Sequence, residues 1–326
     1  MAVYTTLTAG DIRTHLARYN IGALVSHAGI SEGVENTNYM IETDTGRFIL
    51  TLFEKRVDRQ ALPFYLAFMQ ALQDTGIPTA GVVTTREGDT TAQLAGKTAL
   101  ITRFLDGTWP RHPTPAHTRE VGALLALMHL TGHAMKQSRA NAMSLPAWQS
   151  LISACGERAN EVAPGLEKEL VAALAACAGA RHKNLPDGVI HADLFPDNVF
   201  FNEQGKISGV IDFYFSCRDT LVYDLMLTLN AWCFTALGQI DEVRARALIE
   251  GYLSVRQLDA SERAALPDMG RAAALRIIAT RLYDWLHPVE GAIVRPKDPM
   301  EHVHILRYHA QFTDGRPYPW LIHEEG

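Results

Sequence analysis

A few polar residues stand at a spacing that could do chemistry. The run Val-Ile-His191-Ala-Asp193-Leu-Phe-Pro-Asp-Asn198-Val-Phe-Phe has the pattern His-x-Asp-x-x-x-x-Asn between short apolar segments. The following Ile-Ser-Gly-Val-Ile-Asp212 ends in a carboxylate 19 residues after Asp193. Phosphoryl transfer needs such a set, because it is mostly positioning and electrostatics and asks little covalent work of the protein. One carboxylate must orient an attacking hydroxyl and accept its proton. Further oxygen ligands must hold magnesium, a hard cation that prefers oxygen donors. A tight loop between two strands can aim Asp193 and Asn198 at one point, and the next strand can bring Asp212 to it. The plainer reading is a loop whose Asp and Asn only satisfy backbone donors. The flanking strands and the later Asp212 favour the chemical one.

The elements that must position these residues are legible in outline. Thr8 caps a short amphipathic helix over 8–19, with Ile12, Leu16 and Tyr19 at helical spacing. Residues 37–42 and 47–53 read as a hairpin about the turn Thr43-Asp44-Thr45-Gly46. Asp58 is placed to cap a helix running to about residue 75, ended by Gly76 and Pro78. Segments 80–86 and 91–95 alternate and suggest a second hairpin, and 98–105 a buried strand closed by Asp106-Gly107. Beyond a proline-rich stretch, Thr114-Pro115 opens a long helix with the stripe Val121, Leu124, Leu125 and Met128. Residues 145–182 are mostly helical, 188–191, 198–202 and 207–213 are short strands, and from 221 onward the chain is helical, with breaks at Gly238, Pro267, Pro288 and Pro296. The expected fold class is α+β: a small antiparallel-sheet lobe over 1–106 and a larger, mainly helical lobe over 107–326.

Composition excludes some partners. The chain of 326 residues carries a formal net charge of −6, which argues against nucleic acid as a bulk partner. Cys155, Cys177, Cys217 and Cys233 form no Cys-x-x-Cys pair, so neither a zinc ribbon nor a redox motif is indicated. The N-terminus lacks the apolar core of a signal peptide, and no run of about 20 apolar residues spans a membrane, so the cytoplasm is the expected compartment. His302 and His304 point apart on a helix, and with His309 they make only a loose cluster that is not expected to bind metal.

The His191–Asn198 run with Asp212 resembles the catalytic loop and metal-binding aspartate of the protein-kinase-like fold. The resemblance is to the branch of aminoglycoside phosphotransferases and choline kinases, which has His-Gly/Ala-Asp where protein kinases have His-Arg-Asp. It covers nearly the whole chain. Glu35-Asn36-Thr37-Asn38-Tyr39, Phe48-Ile-Leu-Thr-Leu-Phe53 and His191–Asn198 together are similar to the bacterial homoserine kinase family of this fold. The resemblance implies ATP and Mg2+ as cofactors, Asp193 as catalytic base, Asn198 and Asp212 as metal ligands, His191 as a structural support and Asp224 as a brace for the loop. For Asp224 a helix N-terminal charge is the equal alternative. It also implies a phosphate-covering segment with donors on Ser31, Asn36 and Thr37, and an adenine-holding hinge around Phe104 and Leu105.

One departure stands out. The third strand of most kinases carries a lysine that grips the α- and β-phosphates and pairs with a helix glutamate. Here Thr51 takes its place, and the helix over 59–73 has no acid. Lys55 and Arg56 are nearby substitutes or solvated strand-end charges. L-Homoserine as acceptor would need a cation for its carboxylate, ideally an arginine; Arg276 and Arg281 are on offer, with Arg281 preferred, alongside Tyr214 and Trp232. A kinase of choline, an aminoglycoside or another small alcohol stays open, as does a non-catalytic nucleotide-binding protein. The expected assembly is a monomer or homodimer.

Overall fold

A computed structural model describes residues 5–30, 36–54, 59–180, 182, 184–288, 296–312, 316 and 318–321. In chain order these form α1 (Ala9–Leu16), β1 (Leu24–Ile30), β2 (Thr37–Thr43), β3 (Gly46–Leu52), α2 (Leu62–Asp74), β4 (Val82–Val83), β5 (Ala92–Leu94) and β6 (Lys97–Arg103). There follow α3 (Pro115–Ala134), α4 (Leu145–Cys155), α5 (Leu166–Gly179), β7 (Asp187–Ile190), β8 (Val199–Phe201), β9 (Ile207–Val210) and β10 (Cys217–Thr220). The last are α6 (Leu221–Trp232), α7 (Glu242–Leu253), α8 (Ala260–Leu286) and α9 (Met300–Ala310). The expected α+β class, an antiparallel-sheet N-terminal part and a helical C-terminal part, holds. The chain divides into two compact units, Met1–Gly107 with Ser208–Tyr214, and Thr108–Ile207 with Phe215–Gly326.

The first unit is built on an antiparallel sheet of order β1-β2-β3-β6-β4, with β5 also on β6. Alternation along β3 sends Leu50 and Leu52 to one face, against Ile12 and Leu16 of α1 and Tyr39 of β2. Phe53 points to the other face, where Leu62 and Tyr65 of α2 cover it. The second hairpin is not the expected one. β4 and β5 do not pair with each other; they lie end to end along β6, at Ile101–Thr102 and Lys97–Ala99. The cause is the two-residue turn Ala95-Gly96, with φ of 51° and 73°, which folds β5 straight back onto β6. Asp58 lies outside the described residues; α2 starts only at Leu62, after a tight turn over Arg59–Ala61. Ser208–Tyr214 joins this unit through a parallel bridge between Thr79 and Val210, a bond from Ser208 Oγ to the Asp106 carbonyl (2.6 Å), and packing of Phe213 on Phe68.

In the second unit α6 is buried on every side, at all positions but Ala231, which marks it as the centre of a helical core. The long α8 packs on α4, α6 and α9. It runs unbroken through Pro267, contrary to the expected break. Proline forfeits one backbone bond there, but the neighbouring Ala265 and Leu266 are fully buried and hold the helix in register. β10, which pairs antiparallel with β7, has no counterpart in the sequence reading.

Two close approaches set the position of the loop that carries Asp193. α3 crosses α7 through Gly122 and Gly251: a Cβ on Gly122 would lie 2.0 Å from the Leu248 carbonyl, and one on Gly251 2.0 Å from that of Arg119. α3 meets β7 through Gly132, where a Cβ would lie 1.9 Å from the Val189 carbonyl. Since β7 runs directly into His191, the small residues of α3 fix where the loop begins. Gly122→Ala forces the two helices apart and is expected to cost about 2–3 kcal/mol, read as a lower urea midpoint; an unchanged midpoint would show that α7 can slide freely.

Candidate active site

The loop after β7 turns on Ala192, whose φ of +62° is left-handed. That turn aims two successive backbone N–H groups at one carboxylate. His191 N donates to Asp224 Oδ2 (3.0 Å) and Ala192 N to Asp224 Oδ1 (2.9 Å). Asp224 is completely buried, in the first turn of α6. Its Oδ2 also meets His129 Nε2 (3.2 Å), His129 Nδ1 meets the Tyr252 hydroxyl (2.8 Å), and Arg256 reaches that hydroxyl (3.1 Å) and Glu262 (2.9 Å). A polar chain thus runs from the loop through α6, α3 and α7 to α8. Buried polar groups are costly when unpaired and rigid when satisfied, so this chain holds the loop in one conformation. Burial is the main cause that pushes the Tyr252 phenol above its usual range, so it stays protonated as a bridge.

Around this frame the loop presents its side chains. Asp193 N donates to His191 Nδ1 (3.2 Å), which ties the two ends of the turn. Asn198 Nδ2 donates to the Asp193 carbonyl (2.8 Å) and lies 3.5 Å from Asp193 Oδ2. Its Oδ1 is thereby turned away from Asp193, an amide oxygen of the kind a hard divalent cation accepts. Arg276 of α8 sets both Nη1 and Nη2 at 3.3 Å from Asp193 Oδ1, with its plane over the Phe215 ring. Arg276 is only 4% exposed, so this cation is held where water screens it little. Asp193 Oδ1 is therefore occupied, whereas among the described residues Oδ2 has only the long contact with Asn198.

Other candidates fall elsewhere. Trp232, a substrate-binding candidate in the sequence, is fully buried and its indole N–H donates to the Leu194 carbonyl (2.7 Å), so it supports the loop. Arg281, one and a half turns beyond Arg276, is paired with Glu301 (2.6 Å) and the Asp298 carbonyl (3.3 Å), and Arg276 is the arginine at Asp193. His302 is buried and His304 exposed, on opposite sides of α9. His129 was not foreseen. The signal for it was a histidine inside the apolar stripe of α3, where it must find buried partners.

Asp212 belongs to the first unit, within Ser208–Tyr214, and it too has a left-handed φ, +66°. Tyr214 packs edge-on against Phe53 and Tyr65. Burial, with help from the Asp212 charge, raises its phenol pKa above the usual range. Ser31, Lys55 and Arg56 lie outside the described residues. Asn36 and Thr37 are turned inward: Asn36 Oδ1 accepts from the Glu54 N–H (3.3 Å), and Thr37 Oγ1 donates to Glu54 Oε1 (2.8 Å). Thr51 Oγ1 donates to Asn38 Oδ1 across the sheet (2.8 Å). Lys97 pairs with Glu54. Burial opposes ionisation of Glu54, but bonds from Lys97, Thr37 and Thr5 outweigh it and hold the carboxyl below its usual range. Glu54 shares the face of Leu52, opposite to Thr51, so Lys97 does not stand in for the strand lysine. The Phe104 N–H is spent on the Arg47 carbonyl (3.1 Å), and Leu105 lies past the last β3–β6 pair, Phe48 with Arg103.

Ala192 stores strain that glycine would not feel. Ala192→Gly is expected to raise stability by about 0.5 kcal/mol, the relief of a left-handed alanine exceeding the extra chain entropy. A melting temperature below that of the parent would count against it.

Comparison with known proteins places this site in a family. A homoserine kinase of Rhodopseudomonas palustris is 51% identical over 319 residues, covering 98% of this chain and 97% of its own. One of Rhizobium rhizogenes is 47% identical over 318 residues, covering 98% and 99%. Among solved structures, a spectinomycin phosphotransferase in complex with ADP and spectinomycin matches with a TM-score of 0.63 at 14% identity, over 96% of this chain and 97% of its own. A choline kinase of Streptococcus pneumoniae matches with a TM-score of 0.62 at 13% identity, over 94% and 98%. The family model of the phosphotransferase enzymes matches residues 26–258, and with relatives this similar from end to end the chain belongs to the phosphotransferase enzyme family.

Proposed function

We propose that this chain transfers the γ-phosphoryl group of ATP to the side-chain hydroxyl of L-homoserine, giving O-phospho-L-homoserine for threonine biosynthesis. The observation that carries the reading is identity near one half, over nearly full length, to homoserine kinases of several bacteria. The loop geometry supports it. Asp193 Oδ2 accepts the hydroxyl proton as the hydroxyl oxygen bonds to the γ-phosphorus and the bond from that phosphorus to the β,γ-bridging oxygen breaks, releasing ADP. Arg276 fixes the carboxylate through Oδ1, so Oδ2 keeps one orientation through the reaction. Mg2+ would be held by the oxygens of Asn198 and Asp212, and when bound it neutralises charge on the transferring phosphates. The backbone around Phe104 and Leu105 would hold the adenine.

No helix of the described residues is long and apolar enough to cross a membrane. We place the reaction in the cytoplasm, with the enzyme a monomer or homodimer that needs no nucleic acid. A second reading, a nucleotide-binding protein without turnover, draws on Thr51 in the lysine position and on an α2 without an acid in its first turn. ADP release decides between them. Purified chain with Mg-ATP is offered L-homoserine, L-serine, L-threonine, choline or an aminoglycoside. Fast release with L-homoserine alone is the expected result; fast release with another alcohol moves the substrate, and binding of ATP without release favours the second reading.

A further inference from the structure

Gly209 stands inside β9, where a glycine is a cost unless something needs the space. It is buried, and its φ lies outside the left-handed region, so conformational freedom is not what it supplies. What it supplies is room. A Cβ there would lie 2.7 Å from Leu105 Cδ1, 3.0 Å from Leu105 Cβ and 3.2 Å from Leu105 Cγ. Leu105 follows β6, and both residues belong to the first unit. The chain on either side of Leu105 is pinned. The Phe104 N–H donates to the Arg47 carbonyl (3.1 Å), and the Arg47 guanidinium lies 4.4 Å from the centre of the Phe104 ring. The Asp106 carbonyl accepts from Oγ of Ser208, the residue next to Gly209 (2.6 Å). Between these pins the Leu105 N–H has no hydrogen-bond partner among the described residues.

The geometry points to Gly209 as a positioning residue for the nucleotide: by carrying no side chain it seats Leu105 against β9 and so fixes where the Leu105 N–H stands. This rests on the reading above, in which the backbone around Phe104 and Leu105 holds the adenine. An added methyl at position 209 cannot be cleared by the leucine side chain alone. Rotation about its first side-chain bond carries Cγ and Cδ1 away but leaves Cβ in place, because Cβ is bonded to the backbone. The remaining contact at 3.0 Å has to be relieved by a shift of a few tenths of an ångström in the Leu105 main chain. A hydrogen bond weakens with distance and misalignment, so a displaced N–H loses grip on the base without touching the phosphates or the acceptor alcohol. Asp212 lies three residues beyond Gly209 on the same strand and turn. Strain would reach it only past Val210, whose N–H is held by the Pro78 carbonyl (2.9 Å). Leu105 is therefore where the displacement goes.

The test uses the full chain, Gly209→Ala, Leu105→Gly and the double variant, with dissociation constants for Mg-ATP and for ADP in EDTA from calorimetric titration. Gly209→Ala is expected to weaken both nucleotides by the same factor, about three- to tenfold, the size of one neutral hydrogen bond. Its kcat at saturating ATP and its KM for L-homoserine should stay within about twofold of the parent's, since neither reports on the adenine. In the Leu105→Gly background all three close atoms are gone, and the same substitution should change affinity by less than about twofold. Unchanged nucleotide affinity in Gly209→Ala would overturn the assignment. So would a loss confined to Mg-ATP, which would put the effect at the metal, or a loss as large with glycine at position 105 as with leucine. If Gly209→Ala does not fold, the double variant against Leu105→Gly decides, and a difference above about twofold overturns it. A parent that binds ADP but phosphorylates no L-homoserine fails the functional reading alone; a parent that binds neither nucleotide fails both.

Discussion

Asp193→Asn is expected to lower kcat for L-homoserine by about a hundredfold to ten-thousandfold, the usual contribution of a positioned general base, with little change in the KM for ATP. The amide keeps an oxygen that can face Arg276, so the contact at 3.3 Å persists and the variant should melt close to the parent. Asp193→Ala makes an informative contrast. It removes the carboxylate altogether, and with it the partner of a guanidinium that is 4% exposed. Leaving a buried cation unpaired costs several kcal/mol, so the alanine variant should lose both activity and stability where the asparagine variant loses activity alone. Steady-state ADP release and a thermal melt on the same preparations separate the two. A kcat for Asp193→Asn within threefold of the parent would remove Asp193 from the role of base.

The largest loss of stability is expected from Asp224→Ala. The change strips the acceptor from two backbone N–H groups, those of His191 and Ala192, and from His129, all at a fully buried position. Each orphaned buried donor costs about 1–3 kcal/mol, so a total of about 3–5 kcal/mol is expected, visible as a large drop in the urea midpoint. Activity should fall as well, because the left-handed turn at Ala192 is held by the carboxylate it points to. Asp224→Asn can serve one N–H but sets an amide donor against the other, and should fall between. A midpoint within 1 kcal/mol of the parent, by the usual denaturant slope, would mean that the loop holds itself.

What was readable in the sequence was local. The loop from His191 to Asn198 carries its meaning in consecutive residues, and the hairpin at Thr43–Gly46 in its own turn. Choosing between Arg276 and Arg281 was different in kind. Five residues apart, they project about 140° apart around one helix, and only the packing of α8 decides which of them faces the loop. Trp232 stands among the substrate candidates because nothing nearby in sequence announces that the Leu194 carbonyl needs its N–H. Asp224 read equally well as a helix-end charge, since its two donors come from more than thirty residues away. The Ala95-Gly96 turn lacks the Asn-Gly or Asp-Gly signature that would have placed β5 on β6 in advance.

The membership of Ser208–Tyr214 in the first unit has a consequence for how the protein is made. A ribosome that has delivered β1 to β6 has not yet delivered Phe213, which covers Phe68, or Tyr214, which closes on Phe53 and Tyr65. Until translation passes Tyr214, the nascent sheet carries an open aromatic patch. A gene fragment stopped after Gly107 therefore encodes an unfinished unit, prone to aggregate, and the seven missing residues supplied as a peptide would be the natural attempt at rescue.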